Sequence, residues 1–255
     1  MDFECIIYEK NAEIAVIKLN RPRVLNAMNK QLWLDFQAAL DDAKNDGAIK
    51  ALIITGEGRA FSTGADLKES KNRSLEDYRD YLEELQEASR KILKFEKPTI
   101  AAVNGYALGS GYELALACDI RIAADDAQIG SPEARVTSSV TGGAMRLLQN
   151  LVGPGKAKEL LFTAENIDGK EAERIGLVNK AVPSAKLMNE ATAMAEKIAV
   201  NSAFSIRMIK KGLHMAQGEA SLEAIMDFEV EACLACVSTK ERQDSLTDFE
   251  DRKKQ

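Results

Sequence analysis

Residues 98–133 constrain the fold more than any other part of the chain, because they combine a buried strand, a glycine-rich turn and a helix. Thr99–Val103 is apolar, partly β-branched and preceded by a proline, which predicts a buried strand. Asn104-Gly105 ends this run, and Gly109-Ser110-Gly111 precedes residues 113–118, which form helices readily. The glycines therefore lie where a strand passes into the N-terminus of a helix.

The turn before this helix is suited to hold negative charge. The first N–H groups of a helix have no partner within it and carry the positive end of its dipole, so they can stabilise a developing oxyanion. Glu113 lies one turn into the helix, and Glu133 ends the segment. Each feature alone has a structural alternative: a tight turn, a helix-start carboxylate or a loop acid. Together they favour an acid–base site beside an anion-binding turn.

A second glycine-rich loop follows the same pattern. Residues 51–55 predict a buried strand, and residues 56–66 form a glycine-rich loop that opens toward a helix. The other predicted elements of this part are a hairpin of residues 3–8 and 14–19, and helices at residues 30–44 and 74–94. This alternation of strands and helices predicts an α/β fold over residues 1–184, whereas residues 185–255 are predicted to be almost entirely helical.

Composition and charge exclude several classes of function. The chain has 255 residues, 45% of them hydrophobic, which is enough for one substantial core. Its net charge of -6 argues against nucleic acid or an anionic membrane as the main partner, since both need a basic face. Neither a signal sequence nor an apolar run of membrane-spanning length is present. We therefore expect a cytoplasmic protein.

Cysteine and histidine usage argues against a disulfide framework, a metal site and a histidine-dependent hydrolase. The four cysteines are too scattered for a disulfide framework, and Cys233 and Cys236 lack a second ligand pair for zinc. His214 is the only histidine and lies on a helical pattern without a nucleophile motif nearby. Buried thiols and a packing or surface histidine are the favoured interpretations.

Four ordered motifs resemble those of the crotonase, or enoyl-CoA hydratase/isomerase, superfamily, and the resemblance covers nearly the whole chain. The motifs are Asn20-Arg-Pro-x-x-x-Asn-Ala27, Ala60-Phe-Ser-Thr-Gly-Ala-Asp-Leu-Lys68, residues 102–119 and Gly130-Ser-Pro-Glu133. The resemblance implies a crotonase-like spiral of β-β-α units over residues 1–184, which holds the active site and binds CoA. It further implies that residues 185–255 form a helical region that builds trimers, often paired into hexamers.

The resemblance also implies a set of site residues. The N–H groups of Ala65 and Ser110 would form an oxyanion hole for the thioester oxygen of an acyl-CoA. Ser110 departs from the family's commoner glycine, but a backbone donor tolerates a small side chain. Coenzyme A would contact Arg23, Val24, Leu25, Asp66, Leu67 and Lys68, with Arg252 contributed by a neighbouring subunit.

The two glutamates select a reaction within the superfamily. Members resembling hydratases carry glutamates at both the Glu113 and the Glu133 positions, so the resemblance implies hydration of a trans-2-enoyl-CoA without a metal or redox cofactor. A Δ3,Δ2-enoyl-CoA isomerase, or other acyl-CoA enolate chemistry, is the enzymatic alternative. An RNA-binding homologue is disfavoured, because residues 75–94 hold six acidic against four basic side chains. Residues 135–146 lack the longer glycine run of the family, so the sequence does not predict which acyl group the protein binds.

Overall fold

The computed structural model describes residues 2–70 and 75–218, together with Met226, Phe228 and Glu231. The chain forms two compact units, Met1–Ile198 and Ala199–Gln255. The described residues form nine strands, all in the first unit: β1 (Ile6–Asn11), β2 (Ile14–Leu19), β3 (Ala51–Gly56), β4 (Ala60–Ser62), β5 (Thr99–Val103), β6 (Tyr106–Leu108), β7 (Ile120–Ala124), β8 (Ile129–Gly130) and β9 (Lys180–Val182).

Eight α-helices complete the described part of the chain. They are α1 (Lys30–Asn45), α2 (Leu67–Ser70), α3 (Leu75–Leu93), α4 (Ser110–Ala117), α5 (Ala144–Thr163), α6 (Gly169–Arg174), α7 (Leu187–Ala199) and α8 (Ala203–Ala216). Short 3-10 helices cover Pro22–Val24, Glu133–Val136 and Ser184–Lys186. Gly153, with φ 78°, and Pro154 interrupt α5 and divide it into two halves.

The strands form two sheets. The larger has the order β1-β2-β3-β5-β7-β9, with β1 and β2 antiparallel and the remaining pairs parallel. The smaller has the parallel order β4-β6-β8. Each of the pairs β3/β4, β5/β6 and β7/β8 gives one strand to each sheet before the chain enters a helix. This is the predicted spiral of β-β-α units, and the α/β fold class is confirmed.

Five strands were not predicted from the sequence: β7 and β9 of the larger sheet, and the three strands of the smaller sheet, β4, β6 and β8. The strands of the smaller sheet contain three, three and two residues, and they lie next to the glycine-rich loops. Such runs are too short to show a hydrophobic period. Each of these short strands follows a strand of the larger sheet. Because those larger-sheet strands are parallel, they place the short strands at the same edge, where they pair.

Both faces of the larger sheet are buried. One face packs with α1, α3 and α4 in a cluster that includes Phe36, Phe61 and Ile92. The other packs with Leu187 and Ala195 of α7. Because strands covered on both sides need apolar side chains throughout, β3 and β5 are continuous apolar runs. Helix α7, apart from its last residue, Ala199, therefore belongs to the first compact unit, and the last described strand, β9, ends at Val182.

The second unit contains α8, whose N-cap Ser202 accepts a hydrogen bond from Ser205 N at 3.2 Å. Met226, Phe228 and Glu231 are helical, and the other residues after 218 that are predicted to be helical lie outside the described residues, as do Arg252 and the Cys233/Cys236 pair. Across the described ranges, no helix is both long and apolar enough to span a bilayer.

Candidate active site

The turn before α4 is built around Gly109. Its backbone has φ 53° and ψ -126°, a conformation that glycine adopts far more easily than any other residue. A Cβ atom at this position would lie 2.8 Å from Oε1 of Glu133. The glycine therefore provides the backbone shape of the turn and also leaves room for Glu133, which comes from a later segment of the chain.

The two glycine-rich loops lie against each other. A Cβ atom on Gly64, which has φ +91°, would lie 3.1 Å from the backbone nitrogen of Ser110 and 2.8 Å from the carbonyl oxygen of Leu108. Ala65, the next residue, is thereby placed beside the start of α4. No acceptor for the N–H of Ala65 or of Ser110 is found in the described ranges. Two backbone donors from different loops are thus left for a ligand oxygen.

Asn26 and Ser62 fix the first of these loops. The buried Asn26 side chain accepts from Arg21 N at 2.8 Å and donates to the carbonyl oxygens of Glu57 and Ala60 at 3.0 and 2.7 Å. Ser62 Oγ donates to the carbonyl oxygen of Asn26 at 2.8 Å and accepts from Gly64 N at 3.1 Å. These contacts hold the loop rigid, which a preorganised donor pair requires.

Glu113 is a buried carboxylate with both oxygens hydrogen-bonded. It lies in the first turn of α4 and is 5% exposed. Thr141 N donates to Oε1 at 2.5 Å, and Thr141 Oγ1 donates to Oε2 at 2.6 Å. Burial raises the pKa of Glu113; the two hydrogen bonds from Thr141 oppose this rise, and the charge of Glu133 adds to it. Glu113 is therefore suited to exchange protons closer to neutral pH than an exposed glutamate.

Glu133 begins the 3-10 helix Glu133–Val136 and is partly exposed. Ser131 Oγ donates a hydrogen bond to its Oε2. Its other oxygen faces Gly109, and its charge acts on Glu113. The structure thus brings Glu113, Glu133 and the Ser110 N–H to one place.

The residues expected to contact coenzyme A lie on two adjoining segments. Arg23 and Val24 are exposed, Leu25 has a left-handed backbone with φ 54°, and Lys68 is exposed. The segments are joined by hydrogen bonds from Thr63 N to the Leu25 carbonyl at 3.1 Å and from Asp66 N to the Met28 carbonyl at 3.0 Å. The Leu67 backbone begins α2. Arg252 lies outside the described residues.

Asp66 makes a structural contact within this surface. Arg21 Nη1 donates to Asp66 Oδ2 at 2.8 Å, and Lys68 N donates to Oδ1 at 3.1 Å. Burial of the carboxylate opposes its ionisation, but these hydrogen bonds and the nearby positive charges outweigh burial and lower the pKa of Asp66. Asp66 therefore stays ionised and ties the two segments together.

Sequence reasoning missed two residues that support the site. Arg121 on β7 is buried, and its guanidinium donates to the carbonyl oxygens of Cys118 at 2.6 Å and Leu177 at 2.8 Å. It thus places a positive charge at the C-terminal end of α4, where the helix dipole is negative. The only sequence signal was a charged residue within an apolar strand. Thr141 is the second missed residue, and nothing in its local sequence links it to Glu113.

Metal binding has no support in the described ranges, where no group of three or more His, Cys, Asp or Glu side chains is placed to hold an ion. Among the described residues, Glu113 and Glu133 are the carboxylates that converge on the turn, and both already accept hydrogen bonds from hydroxyl groups. The arrangement is a pair of carboxylates beside two backbone donors.

Comparison with known proteins agrees with this geometry. Residues 9–255 match the family described as enoyl-CoA hydratase/isomerase. The chain is 38% identical to the short-chain-enoyl-CoA hydratase of Clostridium acetobutylicum, over 100% of this chain and 97% of that protein. It is 39% identical to the crotonyl-CoA hydratase of Syntrophomonas wolfei, over 100% and 98%. The solved enoyl-CoA hydratase from Bacillus anthracis matches with a TM-score of 0.94 and 33% identity, covering 98% of this chain and 97% of that chain. The chain belongs to the enoyl-CoA hydratase/isomerase family.

Proposed function

We propose that this protein is an enoyl-CoA hydratase that adds water reversibly across the double bond of a trans-2-enoyl-CoA to give a 3-hydroxyacyl-CoA. The observation that carries the proposal is the convergence of two glutamates, Glu113 and Glu133, on a turn whose Ser110 N–H has no acceptor in the described ranges. Two full-length relatives named as hydratases support it.

The backbone donors account for stabilisation of the intermediate. Addition of water at the β carbon of the conjugated thioester moves negative charge onto the thioester oxygen. The N–H groups of Ala65 and Ser110 would receive that oxygen, and each well-aimed donor is worth about 3 kcal/mol of barrier in comparable sites. The rigid loop held by Asn26 and Ser62 keeps the donors in place without reorganisation.

The two acids divide the proton transfers. Glu113 takes a proton from the attacking water, so that the hydroxyl oxygen bonds to the β carbon. Glu133, in its protonated form, gives a proton to the α carbon as the enolate collapses. Each turnover leaves Glu113 protonated and Glu133 ionised. Loss of a proton from Glu113 to solvent and uptake of one by Glu133 restore the starting state, so the net change is the addition of one water. This mechanism uses the coenzyme A thioester as substrate and calls for no metal or redox cofactor.

Coenzyme A recognition belongs to the same proposal. The exposed cations Arg23 and Lys68, with Val24, Leu25, Asp66 and Leu67, would meet the adenine and phosphate groups. Arg252 would come from a neighbouring subunit. These basic groups give an acidic protein a local site for an anionic ligand.

A panel of 2-enoyl-CoA thioesters that differ in chain length, branching and ring character tests the proposal. Loss of the conjugated absorbance measures hydration. We expect turnover of at least one straight-chain member, with crotonyl-CoA the first substrate to try because of the relative named for it. Absence of hydration across the panel, combined with conversion of a 3-enoyl-CoA to its conjugated isomer, would favour the isomerase instead.

Assembly and location complete the proposal. We expect a homotrimer or homohexamer in the cytoplasm, acting on acyl-CoA in fatty acid β-oxidation, with neither nucleic acid nor a membrane as partner. Exposed apolar side chains on α8, Ile209 and Leu213, support burial between subunits. Sedimentation at micromolar concentration measures the state, and a monomer would contradict both the assembly and the role given to Arg252.

A further inference from the structure

Thr141 holds both oxygens of the Glu113 carboxylate. Its backbone N–H donates to Oε1 at 2.5 Å, and its side-chain hydroxyl donates to Oε2 at 2.6 Å. Because the two donors belong to one residue and bind different oxygens, they restrain both the position of the carboxylate and the rotation of its plane. The backbone donor could come from any residue except proline, whereas the hydroxyl donor depends on this side chain.

The loop that carries Thr141 is itself anchored on two sides. Gly142 N donates to Gln86 Oε1 of α3 at 3.1 Å, and the Thr141 carbonyl accepts from Ala144 N at the start of α5 at 2.9 Å. Gly142 has φ +62°, and a Cβ atom there would lie 3.0 Å from Ser89 Oγ and 3.3 Å from Glu113 Cβ. The loop therefore fits closely between α3 and α4, and it cannot move away from Glu113 without losing these contacts.

We propose that Thr141 is a positioning residue whose side-chain hydroxyl holds the Glu113 carboxylate ionised and oriented toward the attacking water. An ionised carboxylate can accept about four hydrogen bonds, so the two from Thr141 leave sites for water. Both Thr141 donors favour the charged form and oppose the burial that disfavours it. The inference rests on the proposed hydratase function for its kinetic test, and a second test below is independent of activity.

The surroundings of Glu113 show what else acts on its ionisation. Glu133 faces it from the 3-10 helix and disfavours a second negative charge. From α3, the uncharged Gln86 and Ser89 face the loop. Other titratable or charged groups on nearby elements include Tyr112 on α4, Arg121 on β7 and Arg146 on α5, together with the exposed Glu83, Glu87 and Arg90 on α3. Of the charged groups, Glu133 is the one that acts on the pKa of Glu113. Since burial and Glu133 both oppose ionisation, the hydroxyl of Thr141 should have a measurable effect.

The kinetic test compares Thr141→Val, which keeps the N–H and nearly the same volume, with Thr141→Ser, which restores the hydroxyl. A hydrogen bond to a charged group is typically worth a factor of roughly 10 to 100, so kcat of the valine variant should fall by that factor near neutral pH with little change in KM. Loss of a donor raises the pKa of Glu113. The acidic limb of the pH–rate profile should therefore move to higher pH.

Two variants serve as controls in this test. The serine variant should regain activity to within about threefold of the parent and recover its acidic limb. Ser139→Ala removes an exposed hydroxyl from the same loop and should leave the profile unchanged. A valine variant with the parent's pH profile, or a serine variant as impaired as valine, would overturn the proposal.

The second test measures unfolding by urea at about pH 5 and about pH 8, with and without Glu113→Gln. A carboxyl whose pKa is raised in the folded state costs stability as pH rises through that pKa. Thr141→Val raises it further, so it should destabilise the protein more at the higher pH. In the Glu113→Gln background the destabilisation should be equal at both pH values.

This second measurement separates failure of the inference from failure of the proposed function. If the parent hydrates no enoyl-CoA, the hydratase proposal falls, while a pH-dependent coupling between Thr141 and Glu113 would still support the hydroxyl's role. If the parent hydrates crotonyl-CoA but the coupling does not depend on pH, the role of Thr141 is wrong and the hydratase proposal stands.

Discussion

Replacing either Glu113 or Glu133 with Gln is expected to lower the rate of crotonyl-CoA hydration by roughly 10² to 10⁴-fold. Gln keeps the size of the side chain but cannot exchange the proton. At position 113 it still accepts one hydrogen bond from Thr141, so the fold of the loop should persist. Initial rates of absorbance loss for each purified variant, with circular dichroism to check folding, measure the effect.

The double variant should be little slower than the slower single variant, because the two acids serve one chemical step. Losses that multiply would mean that the glutamates act on separate steps. Retention of the parent's hydration rate by Glu113→Gln, with loss of double-bond isomerisation in Glu133→Gln, would replace the hydratase by an isomerase.

Ser110 is expected to act through its backbone alone. Ser110→Ala keeps the N–H and should leave hydration within a few fold of the parent, whereas Ser110→Pro removes the donor and should cost roughly 10²-fold or more. Ser110 is the first residue of α4, where proline removes no bond within the helix. Because the turn at Gly109 is strained, the folding of the proline variant should be checked by circular dichroism.

The alanine variant keeps this test decisive even if the proline variant folds poorly. Loss of turnover in Ser110→Ala would show that the hydroxyl matters and that the oxyanion assignment is wrong. Full turnover by a folded Ser110→Pro protein would contradict the assignment equally.

Local sequence signals predicted the start of α4 well. The apolar run of β5, the break at Gly105 and the helix formers after Gly111 all lie within one short segment, so propensity alone places Ser110 and Glu113 at a helix N-terminus. The position of Glu133 was harder, since it depends on Gly109 leaving space for its carboxylate. The motif resemblance provided that link.

Contacts between segments that are distant in the chain were not predicted from the sequence. Thr141 lies 28 positions from Glu113, and the guanidinium of Arg121 reaches the Leu177 carbonyl 56 positions away. Neither residue differs locally from an ordinary loop threonine or strand arginine. Such contacts are set by how the sheet and helices pack, which periodicity does not specify. The approach of Gly64 to Ser110 is of the same kind, because two separate strands of the larger sheet deliver the two loops.

Solvent deuterium exchange tests the division of labour between the two glutamates most directly. The parent protein is incubated in D₂O with a saturated acyl-CoA, and exchange at the α carbon is followed by mass spectrometry. Glu113→Gln should still exchange the α proton, because Glu133 is intact, while Glu133→Gln should not exchange it. Exchange that persists in Glu133→Gln and disappears in Glu113→Gln would contradict the assignment of the α proton to Glu133.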